Sequence, residues 1–469
     1  MNARKGNDEV AGDVFAHVFV TNIGGAGMSA VATLLVEQGH RVSGHDPAES
    51  TPFVEPLRDR GVEVATGAEA ATPADDVTAV VVSTATPEDA GPVVVARERG
   101  IPVLHRSDAL AALTKDRETI SVAGTHGKTT TSAMLATILE GVGRRPGFVV
   151  GAPIPGLGRS SAWGGDGPLV VEADESDGTF LRLATDVAVV TNVEPDHLEH
   201  YGDFATLVAA FRTFLDGAEE QVVCADDEVA AELAAATGAS TYGTSPDADV
   251  RISDLHSTAA GTSFTVQHHD RPPVKVELGV HGLHNARNAT AAIFAAAKVG
   301  VLPNDSAEAL RGYVGVARRF EPRGTAFGAT LIDDYAHLPT EVAAAIAAAR
   351  ELRPRRLVCV FQPHRYSRTA AHGRDFASSF GEADLLAITD VYSAGEAPRP
   401  GISGKLVVDA VLDAHPDAQV AYLPGLDDVV LWLRATLRPG DLCLTLGAGD
   451  LTTVPTRLVD LDPSSSAPR

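Results

Sequence analysis

The chain has 469 residues, of which 44% are hydrophobic, and its 38 basic and 62 acidic side chains give a formal net charge of −24. This length predicts about three domains of ordinary size. The acidic balance argues against a nucleic-acid partner, because there is no basic stripe to neutralise phosphates. No stretch is long and apolar enough to cross a bilayer, so no membrane insertion is expected.

The three cysteines, Cys224, Cys359 and Cys443, are scattered along the chain and odd in number. They indicate neither a disulfide framework nor a metal finger. Residues 1–9 are polar and charged, without an apolar signal core behind them. These features predict a protein of the reducing cytoplasm. The oligomeric state stays open between a monomer and a homodimer.

Residues from about 13 to 113 alternate strand and helix, a pattern typical of a Rossmann-like nucleotide-binding domain. A glycine-rich loop follows the first strand; it consists of Gly24, Gly25, Ala26, Gly27 and Met28. Asp46 ends the second strand and is placed to hold ribose hydroxyls, and Ser83 and Thr84 end a later strand. A dinucleotide fingerprint would have glycine at position 22. Asn22 tolerates the left-handed conformation, so the turn is expected to survive.

A second glycine-flanked loop follows the predicted strand 119–122 and precedes a helix. Its residues are Gly124, Thr125, His126, Gly127, Lys128, Thr129 and Thr130. Backbone N–H groups and a helix N-terminus at such a loop bind phosphate. Lys128 is placed to reach the β- and γ-phosphates, and Thr129 to bind Mg²⁺. The loop therefore predicts ATP binding.

Two further strands end in candidate ligands. Glu172 ends the strand that begins at residue 168 and is a candidate Mg²⁺ ligand. The acids that follow it, taken singly, are interpreted as a solvated loop: Asp174, Glu175 and Asp177. His197 follows the strand 186–191, where a ligand or catalytic role is favoured.

Short β segments are predicted from residue 241 to 280, before an alanine-rich helix. Asn285 and Asn288 share one face of this helix near its start. Read alone, they are interpreted as N-cap and helix surface.

A third αβ unit begins near residue 318. Its first strand ends at Asp334 and leads to His337. A later strand, 356–361, leads to His364, Arg365 and Arg368, whose grouping predicts a clamp for a carboxylate or phosphate. The whole chain is thus predicted to be α/β with three domains: a Rossmann-like domain over 1–115, a central P-loop domain with a mainly parallel sheet over 116–317, and a C-terminal Rossmann-like αβ domain over 318–469.

The chain, with the phosphate loop and the other motifs described above in this order, resembles the Mur ligases of bacterial cell-wall synthesis. The motifs at 23–28, 333–341 and 362–369 are similar to the branch of that family that joins L-alanine to UDP-N-acetylmuramate. The last motif is the most specific, since the ligase that recycles a murein tripeptide shares only the earlier ones. Two alternatives from other classes stay open: a nucleotide-sensing protein without catalysis, and an NAD-dependent dehydrogenase.

The resemblance implies a two-step ATP-dependent reaction in which the sugar carboxylate becomes an acyl phosphate and the amine of L-alanine then displaces phosphate. It implies two Mg²⁺ ions, with Thr129 and Glu172 at the first and His197 at the second. His197 is the candidate for the second ion because no lysine lies between Lys128 and Lys275 to take the carbamylated form used by some relatives.

The remaining roles follow from the same resemblance. The UDP-sugar site comprises Asp46, Ser83, Thr84 and the loop 24–28. The phosphate loop binds ATP with Asn285, Asn288, Arg319 and Asp334. L-Alanine and the acyl phosphate are held by His364, Arg365 and Arg368. His337 or His364 takes the amine proton, and the catalytic set is Lys128, Glu172, His197, His337 and Arg365.

Overall fold

The computed structural model describes residues 14–69, 71–115, 117–258, 260–463 and 465. The prediction about the polar N-terminus concerns residues 1–9, which lie outside this range. No helix within the described part of the chain has the length and apolar character needed to cross a bilayer.

The first sheet has five parallel strands in the order β3-β2-β1-β4-β5. They are β1 (His17–Thr21), β2 (Arg41–Asp46), β3 (Glu63–Thr66), β4 (Ala79–Val82) and β5 (Val103–His105). The helices between them are α1 (Ala26–Glu37), α2 (Val54–Arg58), α3 (Gly91–Glu98) and α4 (Arg106–Thr114). Strands β2 and β3 are added on one side of β1, whereas β4 and β5 are added on the other side. Such a switch point between β1 and β4 opens a crevice at the carboxyl ends of the strands.

The second sheet has ten strands in the order β15-β14-β13-β12-β11-β10-β6-β9-β7-β8. They are β6 (Thr119–Ala123), β7 (Gly147–Ile154), β8 (Arg159–Ala162), β9 (Leu169–Glu172), β10 (Val187–Val190), β11 (Glu220–Cys224), β12 (Ser240–Gly243), β13 (Val250–Thr258), β14 (Gly261–His268) and β15 (Val274–Leu278). Its helices are α5 (Lys128–Gly141), α6 (Leu198–Tyr201), α7 (Phe204–Asp216), α8 (Glu228–Thr237), α9 (Leu283–Lys298) and α10 (Pro303–Leu310). Strand β6 is central and pairs in parallel with β9 and β10.

The third sheet has six strands in the order β16-β17-β21-β18-β19-β20, and only the β16–β17 pair is antiparallel. They are β16 (Glu321–Ala326), β17 (Ala329–Asp334), β18 (Arg356–Phe361), β19 (Leu385–Ile388), β20 (Val420–Tyr422) and β21 (Asp441–Leu446). Its helices are α11 (Pro339–Glu351), α12 (Tyr366–His372), α13 (Lys405–Ala414), α14 (Leu426–Thr436) and α15 (Val454–Leu461).

The described chain forms two compact units. The first comprises the residues up to 253 together with 265–275 and 287–310; the second comprises 254–264, 276–286 and the residues from 311 onward. In the second unit, Leu331 and Val360 pack on one face of the third sheet, and Ile332 and Phe361 pack on the other. Parallel strands covered by helices on both faces read as continuous apolar runs, which is why these segments are predictable from sequence.

Candidate active site

The loop after β1 keeps its turn without a glycine at position 22. Asn22 has φ +49°, as predicted for an asparagine in the left-handed region. Asp46, at the end of β2, is buried, and its Oδ2 accepts a hydrogen bond from the N–H of Gly24 at 2.8 Å. Its Oδ1 accepts from the N–H of Ala48 at 3.0 Å. Asp46 therefore fixes the shape of the glycine loop.

The other predicted UDP-sugar residues share this edge of the first sheet, since β1, β2 and β4 run parallel. Gly25 precedes α1 and provides no side-chain cap, so the first N–H groups of the helix, including those of Gly27 and Met28, remain available to an anion. Ser83 and Thr84 follow β4; Thr84 Oγ1 lies 3.2 Å from His105 Nε2.

The phosphate loop joins β6 to α5. Gly124 has φ +133° and Gly127 has φ +81°, in the region that favours glycine. A Cβ on Gly127 would lie 2.6 Å from Asn288 Oδ1, so Gly127 also permits a close approach of α9. The N–H of Thr125 donates to the Asn192 carbonyl at 3.1 Å, and the N–H of His126 donates to Asn192 Oδ1 at 2.8 Å. The loop is thereby anchored to the end of β10.

Lys128 has a buried carboxylate as its partner. Its Nζ donates to Glu175 Oε1 at 2.7 Å and to the carbonyl of Gly124 at 2.6 Å. Burial alone would lower the pKa of Lys128, but the charges of Glu175 and Asp174 outweigh burial and hold that pKa above its usual value. Lys128 is therefore a protonated ammonium positioned beside the loop.

The interpretation of Glu175 as a solvated acid is wrong. Its exposed fraction is only 2%, and Oε2 is buried without a hydrogen-bond partner among the described residues. Asp177 is also engaged, since Arg106 Nη2 donates to its Oδ2 at 3.0 Å. Their position in the sequence could have indicated these roles. The acids follow β9, which is the direct neighbour of β6, at the edge that carries the phosphate loop.

Thr129 and Glu172 form the predicted pair of oxygen ligands. Thr129 Oγ1 donates to Glu172 Oε1 at 2.7 Å, and the N–H of Gly151 donates to Glu172 Oε2. A hydroxyl and a carboxylate beside a phosphate loop are oxygen ligands of the kind that would hold Mg²⁺. Within the described ranges no three His, Cys, Asp or Glu side chains form a metal-binding group.

His197, the candidate ligand of the second ion, has φ +54°, and its Nε2 lies 3.3 Å from Asp196 Oδ2.

The two predicted adenine residues are buried rather than on a helix surface, which corrects the interpretation made from the motif alone. In the first unit, Asn288 Oδ1 accepts a hydrogen bond from Thr131 Oγ1 at 3.3 Å, while Thr130 lies buried in the same turn. In the second unit, Asn285 Nδ2 donates to the carbonyl of His281 at 2.7 Å.

In the second unit, Asp334 is buried at the end of β17 and accepts hydrogen bonds from the N–H groups of Phe320 and Ala336, both at 2.7 Å. Burial raises the pKa of Asp334 to about 6, although Arg319 opposes this. The Arg319 guanidinium lies over the ring of Tyr335, 4.9 Å from its centroid.

The rings of His337 and His364 pack edge to face, with centroids 5.7 Å apart. The Nδ1 of His337 lies 3.0 Å from the Tyr335 carbonyl and 3.2 Å from Glu341 Oε2. Both partners are acceptors, so Nδ1 carries a proton, and in the neutral ring Nε2 then has the lone pair.

His364 has the opposite arrangement. Arg368 Nη1 donates to its Nδ1 at 3.0 Å, and its ring stacks on Tyr392. Burial lowers the pKa of His364 to about 3, and His337, when it is protonated, acts in the same direction as the charges of Arg368 and Arg365. Arg365 has φ +65°, and its buried Nε has no acceptor among the described residues. A guanidinium of this kind is suited to an anionic ligand.

Three family profiles match consecutive parts of the chain. They are described as Mur ligase family, catalytic domain (residues 17–118), Mur ligase middle domain (168–296), and Mur ligase, glutamate ligase domain (318–449). UDP-N-acetylmuramate–L-alanine ligase of Kineococcus radiotolerans is 45% identical over 95% of this chain and 96% of its own length. This chain belongs to the Mur ligase family.

Other relatives agree. The ligase of the same description from Agrobacterium fabrum is 41% identical to this Mur ligase over 93% of the chain and 94% of its own length. The crystal structure of the UDP-N-acetylmuramate–alanine ligase of Thermotoga maritima superposes with a TM-score of 0.78 at 28% identity, covering 95% and 98% of the two chains. A murein peptide ligase of Psychrobacter arcticus gives a TM-score of 0.66 at 25% identity, with the same coverage. The predicted three-domain α/β fold of this Mur ligase is confirmed.

Proposed function

We propose that this Mur ligase joins L-alanine to the carboxylate of UDP-N-acetylmuramate, with ATP converted to ADP and phosphate, in the cytoplasmic synthesis of peptidoglycan precursor. The observation that carries the proposal is the similarity, over nearly the whole chain, to relatives named for that reaction. The recycling ligase is less well supported, because its structure superposes less closely.

The phosphate loop supports the first step, in which the sugar carboxylate attacks the γ-phosphate. Phosphoryl transfer needs alignment and charge neutralisation more than covalent help. Lys128 would contact the β- and γ-phosphates, and Thr129 with Glu172 would hold Mg²⁺. Bound there, Mg²⁺ supplies positive charge to the phosphate oxygens. His197 is proposed as the ligand of a second ion.

The cluster after β18 supports the second step, in which the alanine amine attacks the acyl phosphate and releases phosphate. Arg365 and Arg368 would hold carboxylate and phosphate oxygens. The amine must lose a proton, and His337 is the better base because its Nε2 has the lone pair and its Nδ1 proton is held by Glu341. His364, whose Nδ1 accepts from Arg368, would position that guanidinium.

Binding of the first substrate is proposed at the edge of the first sheet, where the N-terminus of α1 would receive the UDP pyrophosphate and Ser83 and Thr84 would border the sugar. Asn285, Asn288, Arg319 and Asp334 would border the nucleotide.

Phosphate release measured with UDP-N-acetylmuramate, Mg²⁺ and ATP tests the proposal. Addition of L-alanine should accelerate release, and Lys128→Ala should abolish it. Stimulation by the murein tripeptide but not by L-alanine would assign the recycling reaction instead. A chain that binds ATP but releases no phosphate with either amine would be a nucleotide sensor.

A further inference from the structure

A second candidate ligand site lies in the first compact unit, away from every residue assigned above. It is a cavity of about 670 Å³, within the size range of small-molecule sites. Apolar side chains of the core form much of its wall: Val250, Val266, Val274, Ile293 and Phe294. Small residues of α8 and α9, including Ala235 and Ala297, leave the space open.

The cavity and the phosphate loop are on opposite edges of the second sheet. Strands β6, β10, β11 and β12 are parallel, and the phosphate loop follows the carboxyl end of β6 at Ala123. Ser240, which lines the cavity, begins β12. Lys298, also in the lining, donates to Ser240 Oγ at 3.3 Å and to Glu220 Oε2 at 2.7 Å, and Glu220 begins β11. The cavity is therefore at the amino-end edge.

The charged groups of the lining favour an anion. Asp249 is its acidic member, and Oδ2 of Asp249 already accepts hydrogen bonds from the N–H and Oγ1 of Thr241 at 2.8 and 2.9 Å. Lys298 is neutralised by Glu220. Arg271 is exposed and forms no salt bridge within the described part of the chain. Its guanidinium is therefore open to an anionic ligand beside the apolar wall.

We propose that this cavity binds a small organic anion, a carboxylate or sulfonate on an aromatic or branched apolar body. The body lies against Ile293 and Phe294, and the anionic group faces Arg271. Helix α9 connects this site with the phosphate loop. Its residue Asn288 contacts Thr131, and Lys298 lies ten residues further along, roughly 15 Å away along the axis.

Calorimetric titration of the full chain with 2-naphthoate, and with neutral 2-naphthamide as the matched probe, tests the proposal. Naphthoate should bind with a stoichiometry of one and roughly three- to fivefold more tightly than naphthamide, since solvent screens the ion pair with the exposed guanidinium of Arg271. Arg271→Gln should remove that preference. Arg251→Gln, at an exposed arginine outside the cavity, should keep it.

A cavity-filling variant gives an independent measurement. Ala297→Leu should weaken naphthoate binding at least tenfold, whereas Ala236→Leu, the same change at an exposed position of α8 outside the lining, should not. Thermal unfolding establishes whether each variant folds. If Ala297→Leu does not fold, the binding data of the exposed Arg271→Gln variant test the proposal instead. No saturable binding, displacement of naphthoate by a non-hydrolysable ATP analogue, or an unchanged affinity in the folded variants would overturn the proposal.

Discussion

Lys128 Nζ lies 2.7 Å from Glu175 Oε1, so the phosphate-loop lysine has a buried counter-ion before any nucleotide is present. Glu175 is 2% exposed, and water cannot replace Lys128 as its partner. A triphosphate that binds Lys128 therefore competes with Glu175 for the same ammonium.

Glu175→Gln should lower the unfolding temperature of the nucleotide-free protein, because removing one partner of a buried pair costs about 3 kcal/mol. A non-hydrolysable ATP analogue should then raise that temperature more than it does in the wild type, since the phosphates supply the missing charge. Glu140→Gln, the same change at an exposed position of α5, is the control. Equal nucleotide-induced shifts in all three proteins would contradict the competition.

The Thr129–Glu172 contact predicts different results for two changes at one position. Thr129→Ser keeps the hydroxyl and should keep the Mg²⁺ dependence of phosphate release. Thr129→Val removes it at nearly the same volume and should raise the Mg²⁺ concentration for half-maximal rate at least about tenfold. Similar Mg²⁺ titrations for Ser and Val would exclude Thr129 as a ligand.

The Nε of Arg365, which has no acceptor in the described part of the chain, predicts a specific loss of amino-acid binding. Arg365→Gln should raise the KM for L-alanine about 10- to 100-fold. This factor corresponds to the loss of one charge-assisted hydrogen bond, which contributes about 1.5–3 kcal/mol. Steady-state kinetics with saturating ATP measure it. Arg374→Gln, an exposed arginine of the same unit, should leave KM unchanged. If only the affinity for ATP fell, Arg365 would not be a ligand of the amino acid.

The lowered pKa of His364, about 3, predicts a pH-dependent stability. The unfolded chain protonates this histidine as the pH falls through about 6.5, but the native state does not, so native stability is present above that pH and is lost towards pH 3. His364→Gln should reduce the loss of Tm between about pH 7 and pH 5 by roughly 2–4 °C, since solvent screens part of the effect. Exposed His415→Gln should follow the wild type.

The left-handed Asn22 predicts tolerance for glycine and intolerance for alanine. Asn22→Gly should fold with nearly unchanged stability, because the bond from Asn22 Nδ2 to Thr86 Oγ1 is long at 3.4 Å, whereas Asn22→Ala should cost about 1 kcal/mol, because alanine is strained at φ +49°. Thermal unfolding and calorimetric titration with UDP-N-acetylmuramate measure both effects. Equal stability of the two variants would mean that the turn has changed conformation.

The sequence alone indicated the strands that carry the motifs and the edge at which each motif lies. Apolar runs followed by glycine, acid or histidine place Lys128, Glu172 and Asp334 at carboxyl ends of strands, because parallel sheets gather those ends at one edge. The residue type also indicated the turn at Asn22, because asparagine tolerates the left-handed conformation that the structure shows there.

Only the tertiary structure decided which of these residues meet. Glu175 is 47 residues from Lys128 in sequence and reaches it because β9 is the neighbour of β6, a strand order that periodicity does not encode. The burial of Glu175, which shows that it is not a solvated acid, is likewise visible only in the structure. The same is true of the contacts that indicate which ring nitrogens of His337 and His364 carry protons. The cavity at the opposite edge has no motif, because its wall comes from segments that only packing brings together.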